Sequence, residues 1–158
     1  MPEIPASILP FWTEFEASVG GNVAHRFLEA TYFDDNEPSA NALGQLVLAG
    51  VKRATAGLVW TYELPGAVAP KVGDLTVVTD WQGTALCVIE TTRIDVVPFD
   101  QVSEEFAATE GEGDGSLRYW REAHQAFFER ECARIGREPH PQMPVLCERF
   151  QIIYRRAA

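Results

Sequence analysis

Apolar positions recur at helical spacing near the start of the chain, where Phe11, Trp12, Phe15 and Val19 form one stripe. Pro10 suits a first helical turn and Gly20-Gly21 ends the run, so the pattern predicts a helix over about residues 8–18. HRFLEATYF (25–33) mixes β-branched and aromatic residues and predicts a strand. Asn36 to Ser39 carry helix-start signals, Leu43, Leu46 and Val47 share a face, and Gly50 is a natural stop. LTVVTD (75–80) and ALCVIETTRIDVVPF (85–99) are rich in Val, Ile and Thr, and Trp81-Gln82-Gly83 between them reads as a hairpin turn. FDQVSEEFAAT (99–109) is amphipathic. In SLRYWREAHQAFFERECARIG (116–136), Leu117, Trp120, Ala123 and Phe127 lie on one side and Gly136 closes the helix. VLCERFQIIYRR alternates as a final strand. Hairpins and long insertions without a regular βαβ rhythm predict an α+β fold with a small closed or curved sheet.

The length of 158 residues suits a single domain, 1–158, with a real core. No apolar stretch approaches the roughly 20 residues needed to cross a bilayer, and no basic segment precedes an apolar run at the N-terminus. A cytoplasmic protein with no membrane partner is expected. Cys87, Cys132 and Cys147 are widely spaced and odd in number, which predicts reduced core thiols rather than disulfides or a zinc site. The net charge is −10, with 13 basic residues facing 23 acidic ones. That balance disfavours duplex DNA, whose binding rests on neutralised phosphates. A small nucleotide-like ligand escapes the same repulsion.

Two stretches could carry chemistry. LAGVKRATAGL (48–58) places Lys52 and Thr55 among small residues, Gly57 included, which let a ligand or a backbone approach closely. A threonine hydroxyl needs a base, and a lysine kept neutral by burial can serve. A lysine after a helix C-terminus is equally a solvated cation favoured by the dipole. FAATEGEGDGSLRYW (106–120) alternates Glu110, Glu112 and Asp114 with glycines. A calcium loop begun at Glu110 fails at its twelfth position, Arg121, where a bidentate glutamate is required. The loop is either a helix entry capped by Asp114 or Ser116, or it presents acids to a ligand. His25, His124 and His140 lack metal-ligand spacing, so no metal and no cofactor is expected, and core or surface roles are assigned to them. Trp60, five residues past Thr55, could stack on a nucleobase.

LVLAGVKRATAGLVW, KVGDLTVVTDWQGTALCVIETTRIDVVPFDQV, EEFAATEGEGDGSLRYWREAH and VLCERFQIIY together resemble the ASCH (activating-signal-cointegrator homology) domain family in its longer bacterial branch. The resemblance implies a PUA-like small β-barrel flanked by helices. It also implies two kinds of function. Short bacterial members are amidohydrolases of N4-acylcytidines, and their lysine, threonine and glutamate match Lys52, Thr55 and Glu110. The arginine that short members carry two residues after the threonine is Gly57 here. Other members bind or cleave RNA.

The implied chemistry has neutral Lys52 take the Thr55 proton, Thr55 attack an amide carbonyl, and Glu110 position or protonate the leaving amine. Backbone amides of a tight turn at Ala54–Gly57 would receive the oxyanion. Gly57, Trp60, Glu112 and Asp114 complete the expected ligand contacts. The expected partner is therefore a small nucleoside-like ligand, with single-stranded RNA as the alternative.

Overall fold

A computed structural model describes residues 2–156. Helix α1 (Leu9–Val19) carries Pro10 in its first turn and ends at Gly20, whose φ of 74° is left-handed. After a single 3₁₀ turn, β1 covers Phe27–Thr31. Helix α2 (Glu37–Leu48) starts at Asn36, whose side chain accepts from the Ser39 amide at 3.0 Å. Strand β2 (Ala54–Leu58) and the one-turn helix α3 (Val59–Tyr62) follow. The predicted hairpin is β3 (Leu75–Thr79) and β4 (Ala85–Pro98). The amphipathic stretch after it splits into a 3₁₀ turn at Phe99–Gln101 and α4 (Glu104–Glu110). Ser103 causes the split by capping α4 through the Phe106 amide. Helix α5 (Leu117–Ile135) is capped by Ser116, and β5 (Pro144–Arg155) ends the fold.

The sheet order is β1-β3-β4-β5-β2. β1 runs parallel to β3, and every other pairing is antiparallel. The β4–β5 register shifts between Val88 and Ile89 and again between Thr91 and Arg93. Such bulges bend and twist long strands. All five strands contribute to the lining of one cavity, with Glu29, Thr76, Ile89, Glu148 and Thr55 among its residues. The α+β fold with a curved, barrel-like sheet is as expected. The ladder stays open, with β1 and β2 as its edges.

Apolar burial holds the helices to this sheet. Phe11, Trp12 and Phe15 of α1 pack on Phe27, Leu75 and Val77. Leu58, Phe106, Trp120 and Phe128 form a second cluster. Trp12 and Trp120 are almost fully buried, and each contributes about 3 kcal/mol by removing apolar surface from water. The buried stripe of α5 is Trp120, His124, Phe128 and Cys132. Relative to the expected Ala123–Phe127 line it is rotated by one residue. The three cysteines are buried and unpaired. No helix among the described residues is long and apolar enough to cross a membrane.

Candidate active site

Two backbone contacts bring the two candidate stretches together. The Arg53 amide donates to the Thr109 carbonyl at 2.9 Å. Gly111 lies so close to Val51 that a Cβ there would stand 2.3 Å from the Val51 carbonyl oxygen. Gly111 also has a φ of 67°, so glycine is required twice over. Residues 51–53 are thus pressed against the end of α4, and Lys52 faces the acids that follow.

Lys52 is 2% exposed. Its Nζ donates to the Ala54 carbonyl at 2.6 Å and stands 3.8 Å from Glu110 and 3.5 Å from Glu112. It also lies 4.9 Å from the centroid of the Phe33 ring. An ammonium is the form that three oxygen acceptors and an aromatic face hold. This departs from the expected neutral base: Lys52 is placed as a charge.

Glu110 has no exposed surface and does not line the cavity. Burial pushes its carboxyl up, but the Lys52 charge and His124 outweigh burial and hold it well below the usual carboxylate range. Neither of its oxygens has a hydrogen bond of good geometry. His124 Nε2 stands 3.3 Å from Oε2, and a proton on Glu112 would supply a further donor. Glu112 is pushed up to about 7, first by burial and then, against the pull of Lys52, by its hydrogen bond to Glu110 and by the Glu110 charge. It lines the cavity, so the carboxyl presented to a ligand is Glu112, with Glu110 behind it.

His124 is the site residue that sequence reasoning left in the core. Its Nε2 is 3.3 Å from Glu110 and 3.9 Å from Glu112. Its Nδ1 donates to the Trp120 carbonyl at 2.9 Å, and its ring stacks on Trp120 at 4.1 Å. Burial lowers its pKa, but the Glu110 charge and hydrogen bond raise it more. The signal was available as a histidine on the i, i+4 stripe of an otherwise apolar helix face, four residues from Trp120 and from Phe128.

The cavity holds about 250 Å³. Tyr32, Phe33 and Phe127 give it aromatic walls. Glu29, Asp34, Glu112 and Glu148 face Lys52 and His124, so acid outweighs base. Thr55 lines it from β2. Ala54–Gly57 is therefore a strand paired with β5 rather than a tight turn, and its amides are not gathered into an oxyanion nest. Three expected contacts lie elsewhere. Trp60 packs between Arg137 (4.6 Å) and His140 (5.4 Å). Asp114 is turned to the Ser116 amide at 2.9 Å, as a helix entry. Gly57 makes room for Tyr62, whose hydroxyl lies 2.6 Å from where a Cβ would be.

Glu110, Glu112 and His124 offer ligand atoms within 4.8 Å of one another. A divalent metal there would sit against the Lys52 ammonium, 3.5–3.8 Å from both carboxylates. The set fits a shared proton and an ion pair better than a metal.

A family profile described as ASCH domain matches residues 29–154. The chain is similar to the crystal structure of an ASCH domain from Lactobacillus crispatus JV V101, with 38% identity and a TM-score of 0.89 over 98% of this chain and 99% of that one. It is also similar to a crystal structure of a protein from Enterococcus faecalis V583, with 31% identity and a TM-score of 0.84 over 93% of this chain and 88% of that one. A hypothetical protein of known structure, 16% identical with a TM-score of 0.53 over 80% of this chain and 99% of that one, shares the fold alone. No curated protein matches the chain.

Proposed function

The chain belongs to the ASCH domain family, and from that premise we propose that it is a hydrolase of small modified nucleosides that cleaves an exocyclic amide, as on an N4-acylated cytidine. The observation that carries this reading is the meeting of Lys52, Thr55 and Glu112 at one small aromatic-walled cavity, with Glu110 and His124 buried behind them. Thr55 supplies the nucleophile. Lys52 supplies positive charge for the oxygen that becomes anionic. Glu112, protonated near neutral pH, gives its proton to the leaving amine. Glu110 is a positioning residue that holds Lys52, His124 and Glu112 in register.

The size and sign of the cavity support a small ligand over a strand of RNA. Several arginines outside are committed to acids: Arg149 to Glu105, Arg130 to Asp35 and Arg156 to Glu14, each at 2.8 Å. A continuous basic track for a phosphate backbone is not what these pairs make. A reducing, cytoplasmic setting suits the three free thiols.

The test is incubation with N4-acetylcytidine, followed by chromatography. Release of cytidine and acetate by the native chain, lost in Thr55→Ala, is expected. An intact substrate at high protein concentration, together with RNA affinity that falls steeply with salt, would replace this reading with RNA binding.

A further inference from the structure

Of the cavity carboxylates that have no part in the chemistry above, Glu148 is the one set beside the nucleophile. Glu148 on β5 is paired directly with Thr55 on β2, and both side chains line the cavity. Residues so paired hold their Cβ atoms about 4.5–5.5 Å apart, which brings a glutamate carboxylate within reach of a threonine hydroxyl. Glu148 is 8% exposed. Its Oε2 accepts from Thr91 Oγ1 on β4 at 2.6 Å. The carboxylate is therefore braced through Oε2 from the strand on one side, and Thr55 stands at the paired position of the strand on the other.

We propose that Glu148 is the general base that takes the Thr55 Oγ1 proton; the inference rests on the hydrolase reading and names the residue that starts its chemistry. The other candidates are committed to other partners or are not paired with Thr55; His124 Nε2, for one, faces Glu110 at 3.3 Å. Lys52 is held by three oxygen acceptors. Glu110 does not reach the cavity, and Glu112 carries a proton near neutral pH. Asp34 accepts from Ser39 Oγ and from the Asp35 amide. Glu29 lines the same cavity from β1, which pairs with β3 and not with β2, whereas Glu148 is the residue paired with Thr55.

The protons balance. Glu148 takes the Thr55 proton as Oγ1 bonds to the acyl carbon. The tetrahedral intermediate breaks its C–N bond, and the amine leaves with the proton of Glu112. Water then attacks the Thr55 ester and gives its proton to Glu112. The C–Oγ1 bond breaks, and Thr55 recovers its proton from Glu148. The sum is amide plus water to carboxylic acid plus amine, with both glutamates restored. Burial raises Glu148 above the ordinary carboxylate range, which strengthens it as a base. The Thr91 hydrogen bond and Lys52 act against that rise, while Glu29 and Asp74 add to it. Tyr62 is a further titratable neighbour, and Asp34, Glu112 and His124 share the cavity.

The test uses the whole chain and p-nitrophenyl acetate as a generic acyl donor, with the acetylated residue located by peptide mass. The native protein is expected to acquire acetyl on Thr55, at a rate that falls as pH drops through the titration of Glu148. Glu148→Gln keeps the size of the side chain and an acceptor for Thr91. It is expected to slow Thr55 acetylation by about 100-fold or more, to abolish that acidic limb, and to leave the melting temperature near native. Acetylation of Thr55 at the native rate in Glu148→Gln, or no acetyl on native Thr55, overturns the inference. N4-acetylcytidine run in parallel keeps the two claims apart: Thr55 acetylated through Glu148 while the nucleoside stays intact supports the base and sinks the substrate.

Discussion

Lys52 Nζ stands 3.8 Å from Glu110 Oε2, and the side chains are 1% and 0% exposed. A pair this deep costs more to break than to replace, because each partner strands the other's charge. Lys52→Met is expected to destabilise the fold by about 3–5 kcal/mol in urea unfolding. Adding Glu110→Gln to Lys52→Met should recover a large part of that loss. A single variant as stable as the native chain would mean that the pair is not ionised.

Glu112 gives the site a pH dependence whose sign is opposite to that of an ordinary paired carboxylate. Its pKa is raised from 4.5 to about 7 on folding. Its contribution to stability is full below 4.5 and is lost as pH rises through about 7. Measured against Glu112→Gln, the native chain should lose on the order of 2 kcal/mol between about pH 5 and about pH 8. The amidase rate should fall over the same upper range, since the acid is then deprotonated.

Glu110 is the complementary case. Its folded pKa is depressed, so its contribution is present above 4.5 and is lost as pH falls below that value. His124 is raised above 6.5, so its contribution is present below 6.5 and is lost as pH rises through the folded value. Acid titration of Glu110→Gln followed by circular dichroism should therefore lack part of the native acid-induced loss. Identical acid curves would rule out an ionised Glu110.

Gly111→Ala should unfold or displace the acid loop, because a methyl group there meets the Val51 carbonyl at 2.3 Å and φ is 67°. Strain of this kind costs about 1–3 kcal/mol before the clash is added. Gly115→Ala is the control. Its φ is 77°, but nothing lies within 4 Å, so about 1 kcal/mol is expected. Thermal melts of the two variants should rank in that order, and amide hydrolysis should survive only in Gly115→Ala.

Arg130 and Asp35 join α5 to the loop after β1 at 2.8 Å, but both are well exposed. Arg130→Ala should change stability by less than about 1 kcal/mol. Ser116→Ala, which removes the cap of α5, should cost about 1 kcal/mol. Equal and large losses would show that the exposed pair is a structural clamp.

Most of the elements were legible because their signals are local. Pro10 and Gly20 bracket α1, Asn36 opens α2, and Ser116 with Gly136 bounds α5. Strand β2 was not legible. Ala54-Thr55-Ala56-Gly57-Leu58 has little strand propensity of its own, and its extended form comes from pairing with β5. Lys52 and the acid loop stood out through their spacing and the resemblance. What that reading lacked was depth. Nothing in TEGEGDG says that Glu110 points inward and Asp114 outward; that is decided by Gly111 against Val51 and by Asp114 folding onto the Ser116 amide. His124 was passed over because the helix face was phased one residue away.

The burial of Lys52 has a practical consequence. The chain has two lysines, and the other, Lys71, has a side chain that is 79% exposed. An amine-directed reagent should therefore mark Lys71 at once and Lys52 only when the interior opens. The lag between the two labels would time that opening in the native protein, with no probe introduced, and a ligand that seals the cavity should lengthen it.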